Sequence, residues 1–327
     1  MHANHEQTNP SSRQAAYFVA DTWAFSFRTR HRQIFLRVCV MTQRAFSCFV
    51  DDAPIYRVQT FIWLNCLKLQ QGIAPSSIFV HTTDSGSPFR DWLSSEKVNI
   101  VELDAFDRRN RHCNKLQQLA TFVRGAHDPV VFMDCDTAWV GKGAMPVGHA
   151  VSARIVDFAN PPESILVEIF AASGLGRPDW RPVSFPRGAD RELTDVNNCN
   201  GGLYICAGEF LKELAPRWRF WARWCLDHGQ LFQSFLMHAD QVSFALAMRE
   251  LHAKVFPLPL AWNYPTHVAS ADLPNIDPQV LHYHREMTND ACLKTIGVSL
   301  VDDAIRELNK NLAGVEKTTI AEICQLQ

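Results

Sequence analysis

Short apolar runs alternate along this chain with segments in which apolar residues recur every three or four positions. The runs at 45–50, 77–82 and 98–103 are typical of buried strands, and helical spacing is found at 56–71, which ends before Gly72. A helix at 114–123 then leads into an apolar strand at 130–133. Strands that alternate with helices indicate parallel βαβ units, so we predict an α/β fold with a mixed, mostly parallel sheet flanked by helices.

The second half of the chain is less regular. Further strands are expected at 151–158, 203–206, 255–260 and 280–285, and helices at 210–226, 238–248 and 301–327. Between them, residues 159–195 are rich in proline and glycine, which is typical of a functional surface loop. We expect an N-terminal extension at 1–42, since a start at Met41 would leave a complete domain. We also expect one domain at 43–290 and C-terminal helices at 291–327 packed on it.

Composition excludes some classes of function. The chain has 47% hydrophobic residues, 20% charged residues and a formal net charge of -2, and its Lys and Arg residues are spread along the sequence, so we do not expect nucleic-acid binding. The ten cysteines are scattered and most lie in apolar runs, so a reducing, cytoplasmic location is expected. No run reaches the roughly 20 apolar residues of a membrane span, which leaves peripheral membrane contact open.

Two carboxylates, Asp134 and Asp136, follow the strand at 130–133. Residues i and i+2 of an extended segment point to the same side, so both can face one divalent cation or one set of ligand hydroxyls. The alternative is an exposed turn after a strand, where Asp is also frequent.

His282 and His284 lie at i and i+2 of a short predicted strand. Neutral imidazole binds borderline divalent ions well, and a mixed set of His and Asp ligands suits Mn²⁺ better than Mg²⁺. The alternative is a pair of water-exposed histidines on an edge strand.

Three other polar features have both a structural and a functional explanation. Lys115 can lean over the carboxyl edge of the sheet or be an ordinary surface lysine. Gly201 and Gly202, after Asn200, indicate that the backbone passes close to a ligand or to another strand. Asp240 lies in the first turn of a helix, where a carboxylate is favoured by the helix dipole.

Taken in order, these segments resemble the metal-dependent nucleotide-sugar glycosyltransferases of the GT-A fold, most closely the glycogenin-like and bacterial lipopolysaccharide galactosyltransferase-like group. The resemblance spans about residues 45–285. It implies a Rossmann-like domain in which residues 43–150 form the nucleotide-binding half and residues 151–290 the acceptor half. The matching residues are Val50-Asp51-Asp52 with Tyr56, Lys115, Phe132-Met133-Asp134-Cys135-Asp136-Thr137, Asn200-Gly201-Gly202-Leu203, Asp240-Gln241 and Leu281-His282-Tyr283-His284.

The resemblance implies a retaining hexosyl transfer from a nucleotide-sugar donor, with a UDP-sugar favoured, to a glycan or lipopolysaccharide-type acceptor. Mn²⁺ (or Mg²⁺) is the implied cofactor, with Asp134, Asp136 and His282 as ligands and His284 as a substitute. Gln241, beneath the anomeric carbon, and Asp240 are the implied catalytic residues. The implied donor-binding residues are Asp51 or Asp52, Tyr56, Lys115, Asp134, Asn200, Gly201, Gly202 and Arg285.

Two departures from the family pattern leave retention versus inversion open. Arg285-Glu286-Met287 stands where the family has Lys-Pro-Trp, and Gly201 where it has Ala or Ser. Three alternatives remain. A haloacid-dehalogenase-type phosphatase also has a strand ending in Asp-x-Asp, but near its N-terminus and with Thr or Val where Ala138 stands. A sugar nucleotidylyltransferase begins with a Gly-rich loop that this chain lacks. The third is a non-catalytic protein that kept the fold.

Overall fold

The computed structural model describes residues 43–83, 88–125, 127–148, 150–187 and 191–315. The predicted extension at 1–42 and the end of the predicted C-terminal helices, 316–327, lie outside the described residues. The strands are β1 (Gln43–Val50), β2 (Ile78–Thr82), β3 (Asn99–Glu102), β4 (His127–Met133), β5 (Thr137–Trp139), β6 (Val151–Ile155), β7 (Trp180–Pro182), β8 (Leu193–Asp195), β9 (Cys199–Cys206), β10 (Phe256–Pro257), β11 (Tyr264–Pro265) and β12 (Val280–His282). The α-helices are α1 (Pro54–Asn65), α2 (Pro88–Ser95), α3 (Leu119–Phe122), α4 (Glu163–Ser173), α5 (Gly208–Asp227), α6 (Ala239–Glu250) and α7 (Ser299–Leu312).

Seven strands form the central sheet, in the order β10-β6-β9-β4-β1-β2-β3. β1 runs parallel to both β2 and β4, β2 runs parallel to β3, and β10 runs parallel to β6. Only β9 is antiparallel to its neighbours, β4 and β6. The predicted α/β fold with a mixed, mostly parallel sheet is therefore confirmed.

Both faces of the sheet are covered, which explains why four consecutive residues of β4, Val130 to Met133, are apolar. In β4, Val131 and Met133 join one buried cluster, while Val130 and Phe132 join the other, as the twofold period of a strand requires. Helices α1, α2 and α7 cover the first face, and α3 to α6 cover the second. No helix in the described part of the chain is long and apolar enough to cross a membrane.

Two predicted helices differ in detail from the observed ones. The helix predicted at 56–71 is α1 followed by a π-helical turn, Cys66–Gln70. The one predicted at 114–123 is a 3₁₀-helix, Arg111–Gln118, followed by the single turn of α3. Hydrogen bonds to distant residues hold this tighter turn, because the Asn114 side chain accepts from the Phe106 amide and donates to Asp51.

The prediction of a loop over 159–195 was wrong for part of that segment. It contains α4 and the hairpin β7–β8. The helix forms because Ile165, Leu166, Ile169 and Phe170 present one apolar face to the core. The strand predicted at 255–260 is also shorter than expected, since only Phe256–Pro257 pairs with β6.

A small second sheet, in the order β11-β12-β5, carries the chain back to the two aspartates. β12 runs antiparallel to β5, and this register places His282 opposite Thr137, one residue after Asp136. In the final helix, α7, Asp302 accepts hydrogen bonds from the amides of Ile296 and Gly297. Asp302 therefore has a structural role at the start of α7.

Candidate functional site

A cleft at the carboxyl ends of β1 and β4 contains most of the predicted site residues. It has two adjoining lobes, with volumes of about 220 and 250 Å³, that share His112, Lys115, Asp134, Asp136 and His284. Together they fall within the range of small-molecule sites, roughly 300–1,000 Å³. The first lobe also contains Asp51, Tyr56 and Arg285, and the second contains Asn200, Gly201, Asp240, Gln241 and His282.

Asp136 and two histidines form a cluster with the composition of a metal site. Nε2 of His282 lies 3.3 Å from Oδ1 of Asp136, and Nδ1 of His284 lies 3.6 Å from Oδ2. The two imidazole rings stack, with their centroids 3.9 Å apart. One ligand atom from each residue can be chosen so that all three lie within 4.8 Å of one another.

The protonation of this cluster follows from burial and from the charge of Asp136. Burial lowers the pKa of His282, but the Asp136 carboxylate outweighs it, so this pKa lies above its ordinary value. Burial and then the neighbouring His282 lower the pKa of His284 to about 2. Burial raises the pKa of Asp136, yet the facing histidines leave it below its ordinary value.

This donor set fits a divalent cation. One carboxylate and two imidazoles are ligands that borderline ions such as Mn²⁺ accept. Nδ1 of His282 and Nε2 of His284 are buried and have no hydrogen-bond partner among the described residues. The cluster differs from the predicted set in one respect, because it includes His284 and not Asp134.

The carboxylate of Asp134 faces Lys115 instead. Nζ of Lys115 lies 2.8 and 2.9 Å from the two oxygens of Asp134 and 3.2 Å from Oδ2 of Asp240. Burial lowers the pKa of Lys115, but the carboxylates of Asp134 and Asp240 raise it by a larger amount. The pKa of Lys115 therefore lies above its ordinary value. With its side chain only 16% exposed, the lysine is a largely enclosed cation between two acids, in contrast to the surface-lysine alternative.

Gly201 and Gly202 lie where the backbone passes close to the side chains of Lys115 and His282. A Cβ at Gly201 would lie 2.6 Å from Nζ of Lys115. A Cβ at Gly202 would lie 2.5 Å from Nδ1 of His282. The Gly202 carbonyl also accepts a hydrogen bond from the Asp134 amide, at 3.2 Å, which joins β9 to the end of β4.

Asn200 belongs to a buried hydrogen-bond network whose other members were not predicted. Its Nδ2 donates to Oδ2 of Asp157 at 2.7 Å, and Asp157 forms a buried ion pair with Arg154. Its Oδ1 accepts from Nδ2 of Asn263 at 3.1 Å. The sequence alone gave little reason to place these residues in the site, because a charged residue within a strand, such as Arg154 in β6, is usually expected to be exposed.

The first lobe contains the opening aspartate and two arginines. Asp51, at the end of β1, accepts a hydrogen bond from Asn114 at 2.8 Å, and burial raises its pKa. The guanidinium of Arg111 lies 5.8 Å from the centre of the Tyr56 ring. Arg285 lies at the same lobe. The structure does not place Asp52 there, because its side chain is 61% exposed and paired with Arg57.

The start of α6 lines the second lobe. Asp240 is buried in the first turn, and Gln241 follows it with a side-chain hydrogen bond to His238. Phe158, Met237 and His267 line the same lobe, so it offers apolar surface beside its polar groups.

Fold and cleft together define an α/β protein with an acidic, histidine-containing ligand site at the carboxyl edge of its sheet. No family model and no curated protein matches the chain. Among solved structures, the galactosyltransferase LgtC in complex with donor and acceptor sugar analogues is 14% identical, with a TM-score of 0.47, over 84% of this chain and 98% of that one. An active-site mutant of LgtC gives a TM-score of 0.48 with the same identity and coverage. The apo-form glycosyltransferase GlyE of Streptococcus pneumoniae TIGR4 is 13% identical, with a TM-score of 0.44, over 85% of this chain and 62% of that one.

Proposed function

We propose that this protein is a metal-dependent GT-A glycosyltransferase that moves a sugar from a nucleoside-diphosphate sugar, with a UDP-sugar favoured, to a glycan-like acceptor. The observation that supports this function is the convergence of distant segments on one cleft. The segments contribute Lys115, Asp134, Asp136, Asn200, Asp240 and His282.

Asp136, His282 and His284 would hold Mn²⁺, or Mg²⁺ less favourably. A bound divalent ion would stabilise the negative charge that develops on the leaving nucleoside diphosphate. Two imidazoles favour Mn²⁺, since Mg²⁺ prefers oxygen ligands.

The first lobe suits the nucleotide. Tyr56 offers a ring for the base, and Asp51 offers a carboxylate for base or ribose groups. Arg111 and Arg285 bring positive charge to the same lobe, where phosphate oxygens of the donor can accept their hydrogen bonds. Residues 43–150 therefore form the nucleotide-binding half in this proposal, with Arg285 added from the second half.

The second lobe suits the sugar and the acceptor. Lys115, Asn200 and Asp240 can bind sugar hydroxyls, with Asp134 held in place by Lys115. Gln241 would lie beneath the reacting carbon in a retaining transfer. Phe158 and Met237 supply the apolar surface on which a glycan acceptor can pack, so residues 151–290 form the acceptor half.

Isothermal titration calorimetry with UDP and GDP, each with and without Mn²⁺, tests this function. We expect UDP to bind in the presence of Mn²⁺ and this binding to be lost in Asp136→Ala. Asp303→Ala is the matched control, since Asp303 lies on α7 with its side chain 64% exposed. If neither nucleotide binds the wild type with Mn²⁺, the proposed function is wrong.

Release of UDP from UDP-glucose or UDP-galactose, with a panel of sugars as acceptors, tests the transfer itself. We expect slow UDP release without an acceptor and faster release with a suitable one. Anomeric analysis of the product by NMR then distinguishes retention from inversion.

A further inference from the structure

We propose that Asn263 is a positioning residue for the metal centre, in which a small movement lets its Oδ1 accept a hydrogen bond from Nδ1–H of His282. This pairing fixes the His282 tautomer, so that Nε2 carries the lone pair that binds the metal. The role rests on the metal-dependent function proposed above.

The chain brings Asn263 beside His282 through the second sheet. Asn263 ends the 3₁₀ turn Leu260–Asn263, directly before β11. β11 runs parallel to β12, with Pro265 paired to His282. Asn263 is 0% exposed and His282 is 4% exposed, so water competes little for their polar atoms.

The orientation of the Asn200 side-chain amide is determined by the backbone N–H of Gly202. The backbone amide of Gly202 donates to Oδ1 of Asn200 at 2.9 Å. A backbone N–H can only donate, so the atom that faces it must be the oxygen. The other amide atom of Asn200, Nδ2, accordingly donates to the Asp157 carboxylate.

The orientation of Asn263 follows in turn. Oδ1 of Asn200 can only accept, so the atom of Asn263 that faces it at 3.1 Å must be Nδ2. Oδ1 of Asn263 therefore points to the other side, towards Gly202. A Cβ at Gly202 would lie 2.9 Å from this oxygen and 2.5 Å from Nδ1 of His282, so both atoms border the same small space.

The two facing atoms are both left unpaired in the described part of the chain. Oδ1 of Asn263 and Nδ1 of His282 are both buried without a hydrogen bond to any described residue. A buried polar group without a partner is destabilising by roughly 1–3 kcal/mol, so a small movement that pairs the two is favoured. Oδ1 can only accept, which makes Nδ1 the protonated nitrogen and leaves Nε2 facing Asp136.

The same network explains why residue 202 is a glycine and why a charged pair, Arg154 and Asp157, is buried. Gly202 has no Cβ, which leaves the space between the amide oxygen and the ring open. At the far end, the buried pair of Arg154 and Asp157 anchors Asn200 and hence Asn263. A charged pair in the core is thereby linked through two amide side chains to the metal ligand.

Titration of Mn²⁺ alone into the full-length protein tests this role. Asn263→Ala is expected to bind Mn²⁺ about 10- to 100-fold more weakly than the wild type, which is the usual effect of removing a hydrogen-bond partner of a metal ligand. Asn198→Ala is the matched control, because Asn198 is also 0% exposed, also has an unpaired Oδ1 among the described residues and donates to Thr194 away from the cluster. Its affinity for Mn²⁺ should stay within twofold of the wild type.

Nitrogen NMR of ¹⁵N-histidine-labelled wild type loaded with Zn²⁺ tests the tautomer without any substitution, and so decides the matter even if Asn263→Ala does not fold. His282 is expected to show a protonated Nδ1 and a metal-bound Nε2. Metal on Nδ1, or Mn²⁺ affinity in Asn263→Ala within twofold of the wild type, overturns the role of Asn263 alone. A wild type that takes up no Mn²⁺ overturns the metal-dependent function and this role together.

Discussion

The backbone of Gly201 lies so close to Lys115 that a Cβ on this glycine would be 2.6 Å from the lysine Nζ. The absence of a side chain lets the amine lie between Asp134 and Asp240, at 2.8 Å from the first and 3.2 Å from the second. Gly201 stands where the family that this chain resembles has Ala or Ser. Its lack of a side chain leaves the space that the Lys115 amine occupies.

Gly201→Ala should displace the amine of Lys115 at little cost in stability, because the end of a lysine side chain moves easily. We expect the free energy of unfolding to change by less than about 1 kcal/mol, since only a flexible group must shift. Binding of UDP-sugar should weaken measurably in calorimetric titration, because the amine shifts from its present position between the two carboxylates while it stays close enough to pair with them.

Gly202→Ala is the comparison for that variant. Its Cβ would meet the buried ring of His282, at 2.5 Å from Nδ1, and Oδ1 of Asn263 at 2.9 Å. These groups cannot move aside freely, so urea denaturation should show a loss of about 1–3 kcal/mol. Equal losses in both glycine variants would contradict the assignment of a movable lysine at Gly201.

Asp51 and Asp52 are adjacent in the chain but should differ in function. Asp51 lines the first lobe, while Asp52 is largely exposed and paired with Arg57. Asp51→Asn is expected to weaken UDP binding at least tenfold in the presence of Mn²⁺, and Asp52→Asn to leave it within twofold. A larger effect at Asp52 would show that the nucleotide approaches from outside the lobe.

His284 should contribute directly to metal affinity. Its imidazole is the second one in the cluster, so His284→Ala is expected to weaken Mn²⁺ binding by at least tenfold in calorimetric titration. His267→Ala is the control, since this ring lies 4.2 Å from that of His284 but outside the cluster. If the two variants bind Mn²⁺ equally well, His284 is not a ligand.

His81 should make the fold sensitive to acid. Burial lowers the pKa of this histidine from 6.5 to about 4, and its ring contacts the hydroxyls of Ser47 and Thr121. Between pH 6.5 and about 4, His81 is protonated in the unfolded chain but stays neutral in the folded protein. The stability that the neutral ring contributes is therefore present above pH 6.5 and is lost as the pH falls towards 4, by up to roughly 3 kcal/mol.

Urea denaturation of wild type and His81→Gln at pH 7.5 and pH 4.5 measures this contribution. The fall in unfolding free energy between the two pH values should be smaller in the variant. An equal fall in both proteins would place the acid sensitivity in other groups.

The order and type of the main elements could be predicted from the sequence. Residues 130–133 are apolar throughout because both faces of β4 are covered, and the apolar residues before Gly72 reflect the burial of α1, in which every residue from Arg57 to Asn65 is buried. Such patterns are local, since a strand or helix shows its burial in its own residues. They located Asp134 and Asp136 at the end of a central strand before any contact was known.

Only the tertiary structure decided which of these aspartates meets which partner. The register of β12 against β5 brings His282 and His284 to Asp136, and the position of the 3₁₀-helix brings Lys115 to Asp134. It also placed Asn263 beside His282. Contacts between residues in different strands and helices depend on strand register and helix packing, and neither can be deduced from the spacing of residues along the chain.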